Sequence, residues 1–98
     1  MAAYVISDVT SRDQTAIDRY RTLAAETILQ YGGTYLVRGG ATETWEGDWE
    51  PESVIVVEFP SADQARTWYR SPEYAAALAV SKIALRRRLL LVEGVDGS

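Results

Sequence analysis

Four short apolar runs, separated by two longer stretches of helical periodicity, organise this chain. Tyr4 to Val9 is rich in β-branched residues and predicts a first strand. Ile17, Tyr20, Ala24, Ile28 and Tyr31 then recur at helical spacing, so a helix is expected over Asp13 to Tyr31, ended by Gly32-Gly33. Its start has two candidates: Ser11 with Gln14 as a capping box, or Asp13 as the N-cap. Thr34 to Arg38 predicts a second strand that breaks at Gly39-Gly40 and resumes through Thr42 to Trp45 after a bulge. Gly47, Asp48 and Pro51 mark a loop, and Ser53 to Phe59 is the clearest strand of all. Pro60 stops it, and Ser61 with Gln64 opens a second helical region over Ala62, Ala65, Trp68 and Tyr69. Ser71-Pro72 is a fresh helix start, so this region divides into Ser61–Arg70 and Pro72–Ala84. Leu89 to Glu93 is the last strand, followed by a polar tail from Gly94 to Ser98.

Two strand–helix–strand units joined through a hairpin define an α+β fold of ferredoxin-like βαββαβ order, with an antiparallel sheet carrying its helices on one face. Side chains alternate across a strand, which sorts them into two sets. Tyr35, Val37, Ile55, Val57, Phe59, Leu89 and Leu91 carry no charge and are expected beneath the helices. Leu36, Arg38, Val54, Val56, Glu58, Arg88, Leu90 and Val92 fall on the opposite face. The first strand sorts either way. Five aliphatic side chains on an open face form a patch that a monomer rarely tolerates, so a homodimer paired sheet to sheet is expected.

At 98 residues the chain is the size of one domain, read here as spanning residues 1–98 with no separate cofactor domain. Cysteine and histidine are both absent. That removes disulfides, thiolate nucleophiles, the usual Ser-His-Asp and Cys-His arrangements and nearly every transition-metal site, leaving carboxylates, phenols, arginine and backbone groups for any chemistry. No metal and no organic cofactor are expected, because neither a clustered carboxylate motif nor a Gly-rich phosphate loop occurs. The start MAAYVISDV has no basic segment followed by a long apolar one and no run approaches a membrane span, so the reading is cytoplasmic with no membrane partner. A net charge of −4 speaks against nucleic acid. Arg86-Arg87-Arg88, the one basic run, reads as a helix end with cations favoured by its dipole, followed by a strand start.

Several residues are candidates for chemistry. Glu58 lies inside an otherwise apolar strand, where unpaired burial would raise its pKa towards that of a useful base; its structural alternative is an ion pair with Arg38 or Arg88. Glu58 and Arg38 fall on one face of two strands joined by a hairpin, so they are expected to meet across one cavity. Arg38, beside Gly39-Gly40, offers a planar fork to a carboxylate or enolate. Tyr69 and Tyr74 flank the Ser71-Pro72 bend as candidate hydroxyl donors, with an ordinary packing role as the alternative. Trp45, Glu46 and Trp49 are candidates for a lid on the central hairpin, and Trp68 and Arg88 join Trp45 and Glu46 as candidate ligand contacts.

The stretches IDRYR at Ile17 to Arg21, YGGTYLVRGG at Tyr31 to Gly40, EGDWEPESVIVVEFPS at Glu46 to Ser61, ARTWYRSPEY at Ala65 to Tyr74 and LLLVEG at Leu89 to Gly94 together resemble the DUF1330 family, within the dimeric α/β-barrel superfamily. The resemblance runs from Tyr4 to Gly94. It implies a ferredoxin-like protomer, a two-fold dimer and a small-molecule pocket between sheet and helices or at the barrel mouth. The superfamily includes cofactor-free monooxygenases, lactone isomerases and polyketide cyclases, and fold alone does not choose among them. The leading expectation is a cofactor-independent enzyme doing proton transfer (isomerisation, cyclisation or dehydration) on an oxygenated, partly apolar metabolite. Glu58 would be acid or base, Arg38 would stabilise an oxyanion, and Tyr69 or Tyr74 would donate. A non-catalytic ligand-binding dimer and a cofactor-free monooxygenase are the alternatives.

Overall fold

A computed structural model describes residues 1–95; of the tail expected over Gly94 to Ser98, residues 96–98 lie outside them. The elements run β1 (Ala3–Ser11), α1 (Gln14–Gln30), β2 (Thr34–Arg38), β3 (Ser53–Phe59), α2 (Ala62–Tyr69), α3 (Pro72–Ala84) and β4 (Leu85–Glu93). All four strands pair antiparallel in the order β2-β3-β1-β4. This is the ferredoxin-like arrangement expected from the order of the runs.

Local chemistry sets the ends of the helices. Asp13, not Ser11, is the N-cap of α1 and accepts from the Ala16 amide at 3.0 Å, a bond that satisfies one of the helix's free donors. Ser61 and Ser71 do the same for α2 and α3. Gly32 ends α1 with a φ of 84°, a left-handed conformation that a side chain would strain. Gly33 lies so close to Phe59 that a Cβ there would sit 2.9 Å from its ring and 2.7 Å from Ile28.

The sheet separates two environments. Ala3, Val5, Ser7 and Val9 of β1 point under the helices, which settles the phase of the first strand. With Val57, Phe59, Leu85 and residues of α1, α2 and α3 they make the core, where Phe59 and Tyr74 are the largest fully buried side chains. Trp68 packs against the rings of both, with centroids 5.3 and 4.3 Å away, and donates its indole N–H to Thr27 at 3.0 Å.

Three expectations are corrected. The second strand does not resume at Thr42 to Trp45; residues 39–52 form an irregular loop. β4 starts at Leu85 rather than Leu89, so Arg86, Arg87 and Arg88 are strand residues and not a helix end. The bulge falls inside β2, between Tyr35 and Val37, where Leu36 is the extra residue. Beyond it Val37 pairs with Val56 and Arg38 with Ile55, so these two side chains exchange faces relative to simple alternation.

The face away from the helices presents three cross-strand rows. Glu58, Tyr4 and Val92 form one; Val37, Val56, Ile6 and Leu90 form the central, wholly apolar one; Val54, Asp8 and Arg88 form the third. Leu36 at 52%, Leu90 at 54% and Val92 at 42% exposure show how bare this face is in the single chain. The 39–52 loop turns back over the third row, where the Trp49 indole N–H and Arg88 both donate to Asp8, at 2.9 and 2.7 Å.

Candidate functional site

Three polar side chains from three elements converge in the core. The helical period that buries Ile17, Ala24 and Ile28 also turns Tyr20 of α1 inward. Tyr74 sits in the first turn of α3, fixed there by its backbone N–H bond to the capping Ser71 at 3.0 Å. Arg87 faces the helices because β4 begins at Leu85 and alternates. The two phenol oxygens are 2.7 Å apart. Arg87 donates Nη1–H to Tyr20 at 2.7 Å and Nη2–H to Tyr74 at 2.9 Å.

Counting protons shows what this cluster lacks. Arginine donates only, so both phenol oxygens accept from it. One phenol then donates to the other, and the second phenol's proton has no acceptor among the described residues. Tyr74 is fully buried, whereas Tyr20 lines a cavity, so the outward donor is the Tyr20 hydroxyl. Arg87 makes no ion pair among the described residues, and the three recorded pairs all involve other arginines.

The cavity lies between α1 and the sheet. Apolar Val5, Val9, Ile17, Ile28, Ile55 and Val57 make most of its wall, with Ser7, Ser53, Tyr20, Arg21, Tyr35 and Arg87 as polar points. Its volume is about 50 Å³, one to two water molecules at roughly 30 Å³ each. It continues outward, past Tyr20, Tyr35 and Ile55, into a cleft of about 440 Å³ whose rim holds Arg21, Arg38 and Glu52. No Asp or Glu lines the inner cavity.

The electrostatics follow from burial and pairing. Burial, then the neighbouring Tyr20 oxygen, pushes Tyr74 well above the ordinary phenol value, against the pull of Arg87. Burial lowers the pKa of Arg87, but the two phenol oxygens outweigh it and the guanidinium stays charged. Burial also raises Tyr35. Tyr74 is therefore a neutral donor and not a phenolate base. Its folded pKa lies above the unfolded value of 10.0, so its stabilisation is fully present below pH 10.0 and is lost as the pH rises above it. We expect the unfolding free energy from urea titrations to fall as the pH rises above 10.0, with a slope approaching about 1.4 kcal/mol per pH unit, and to fall less in Tyr74→Phe. Equal slopes for the two proteins would contradict this assignment.

The candidates named from sequence are dispersed. Tyr74 is in the cluster and Trp68 lines the cavity wall. Arg38 is at the cleft rim, its guanidinium stacked 4.4 Å over the Tyr35 ring. Glu58 is on the opposite face of the sheet, across from Tyr4 and Thr34, so the expected meeting of Arg38 and Glu58 is overturned by the β2 bulge. The alternative ion pair of Glu58 with Arg88 is not formed either, since Arg88 is bound to Asp8. Tyr69 is 40% exposed in a groove between α2 and β4. Trp45 is exposed and donates to Glu43; neither it nor the exposed Glu46 lines the cavity or the cleft. Tyr20 and Arg87 were not singled out. Their signals were a phenol among the inward positions of α1 and an arginine in phase with Leu89 and Leu91.

An antiparallel four-stranded sheet with helices on one face and a polar cluster between the layers defines a ferredoxin-like protein. The chain belongs to the DUF1330 family, a domain of unknown function, whose family model matches residues 2–95. No curated protein matches it. Among solved structures it is similar to the RPA0582 protein of unknown function from Rhodopseudomonas palustris, at 18% identity and a TM-score of 0.77, over 97% of this chain and 83% of that one. It is also similar to SnoaB, a cofactor-independent oxygenase from Streptomyces nogalater, at 11% identity and a TM-score of 0.70, over 97% and 94%. A dimeric protein of unknown function and ferredoxin-like fold from Bacteroides fragilis shares 14% identity at a TM-score of 0.64, over 95% and 96%. At these identities the likeness is one of fold.

Proposed function

We propose that this protein is a homodimer that binds the enolate or phenolate form of an oxygenated, partly apolar metabolite, and that it acts on that anion without an organic cofactor. The observation that carries this reading is the Tyr20 hydroxyl. With Tyr74 donating to it, this hydroxyl is an outward donor that has no acceptor among the described residues, backed by a cationic Arg87 that has no carboxylate partner among them either. Such a pair is arranged for an oxyanion in a water-poor site. The ligand's acidic oxygen enters the narrow cavity and its body fills the outer cleft.

The absence of a carboxylate from the cavity wall removes the base that isomerisation or cyclisation through Glu58 requires. Oxygenation asks less of the protein. An electron-rich anion gives its own electrons to dioxygen; at a methylene carbon one oxygen atom becomes the carbonyl and the other leaves as water with the two hydrogens. The fold shared with a cofactor-independent oxygenase supports this reading. The apolar central row Val37, Val56, Ile6 and Leu90 supports the dimer, as does the dimeric state of the Bacteroides fragilis neighbour.

Calorimetry with dimedone, a cyclic diketone that is an enolate at neutral pH, and with its neutral O-methyl ether tests the site. We expect the enolate to bind the wild type at least tenfold tighter than the ether, and Arg87→Met or Tyr20→Phe to erase the difference. Equal affinities in the wild type would reject the oxyanion site. Product formation from enolisable substrates that survives a chelator and stops when oxygen is removed separates oxygenation from binding alone.

A further inference from the structure

The rim of the outer cleft carries a second, independent anion-binding feature. The Arg38 guanidinium carbon stands 4.4 Å from the centre of the Tyr35 ring, and no carboxylate pairs with it among the described residues. A guanidinium held over an aromatic ring and without a carboxylate partner has N–H donors to offer a carboxylate or phosphate, which arginine can bind through two parallel bonds. Arg21 lines both the inner cavity and this cleft and pairs at 3.8 Å with Asp18, one turn away on the exposed side of α1. The one acid on this rim, Glu52, is already engaged by the Ser11 amide and hydroxyl, both at 2.7 Å, which keep its carboxyl below its usual range. Glu52 thus stays a carboxylate directed to Ser11, and the rim sets Arg38 and Arg21 against this one acid in a chain whose net charge is −4.

Resting on the oxyanion reading of the inner site, we infer that the ligand is two-ended: an acidic enol or phenol at one end, held by Arg87 and Tyr20, and a carboxylate or phosphate at the other, held by Arg38. Sheet geometry sets the span. β2 and β4 are separated by three strand spacings, so the backbones of Arg38 and Arg87 stand about 14–16 Å apart. Both side chains lie on the helix side, Arg38 over Tyr35 and Arg87 against Tyr20 and Tyr74, and the separation of their backbones leaves room for a body of one or two rings. Tyr20, Tyr35 and Ile55 form its walls. Arg38 is then a specificity-determining residue, selecting acids over neutral compounds of the same shape.

A matched set of probes reads this directly: 2-naphthol, with one acidic oxygen, and 6-hydroxy-2-naphthoate, with a second acid at the far end of the same rings. Calorimetry on the wild type should show the hydroxynaphthoate binding at least tenfold tighter. Arg38→Gln, an exposed position where folding is not at stake, should abolish that advantage and leave 2-naphthol unchanged. Arg87→Met should weaken both. Equal binding of the two probes to the wild type, or an advantage that survives Arg38→Gln, overturns the two-ended ligand while a loss of both in Arg87→Met leaves the inner site standing. If neither probe binds, or binding ignores Arg87, the inner reading fails and this one with it.

Discussion

Val56→Asp should convert the protein from a dimer of about 22 kDa to a folded monomer of 10.9 kDa. Val56 lies at the middle of the open face, opposite Ile6 on one side and Val37 on the other, in the row that has no polar member. A carboxylate there would be buried against the same row of a twin with no cation in the row to meet it. An unpaired buried charge costs several kcal/mol and outweighs the one aliphatic contact it replaces, worth roughly 1.5–3 kcal/mol. Glu58, two residues on and on the same face, adds repulsion. The core is on the other side of the sheet, so the far-ultraviolet circular dichroism should stay that of the wild type. Light scattering at micromolar concentration decides the matter. A wild type that is already monomeric, or a variant that stays dimeric, removes the sheet-to-sheet interface.

Tyr74→Ala should cost about 3–5 kcal/mol, the range for truncating a fully buried aromatic. For a domain of this size that is a large part of a total of roughly 5–15 kcal/mol. Three losses combine: the cavity left beside Trp68 and Phe59, the aromatic contact at 4.3 Å, and the hydrogen bonds to Tyr20 and Arg87. Tyr74→Phe keeps the ring and removes only the hydroxyl, so its cost should be about 1–3 kcal/mol. Urea unfolding of both variants at pH 7 measures the gap. Similar costs for the two would show that the cluster's polar contacts, not the ring's packing, dominate there.

The sequence displayed the fold in full outline because its strands and caps are local signals. Ser61, Ser71-Pro72 and Gly32-Gly33 act within a few residues of where they stand, and the β-branched run Ser53–Phe59 needs no tertiary help to be recognised. The site was less legible because it is made by long-range convergence: Tyr20 and Arg87 are 67 residues apart in the chain. Arg87 was hidden by the run it belongs to. Three consecutive arginines look alike in sequence, and only the start of β4 at Leu85 decides that the middle one is turned inward. Glu58 was conspicuous for the opposite reason. It stands out in an apolar strand, yet it faces the open side.

The extra residue at Leu36 makes chain length, and not side-chain chemistry, the variable that assigns Arg38 its surroundings. With the bulge, the arginine overlooks the cleft; without it, the same arginine would point to the open face of the sheet, and Val37 would take its place beside Tyr35. A single inserted or deleted residue in this strand therefore moves Arg38 from one face of the sheet to the other without substituting any other residue. Relatives of this fold are best compared at this strand by the phase of the pleat. Matching them column by column would equate residues that work on opposite sides of the sheet.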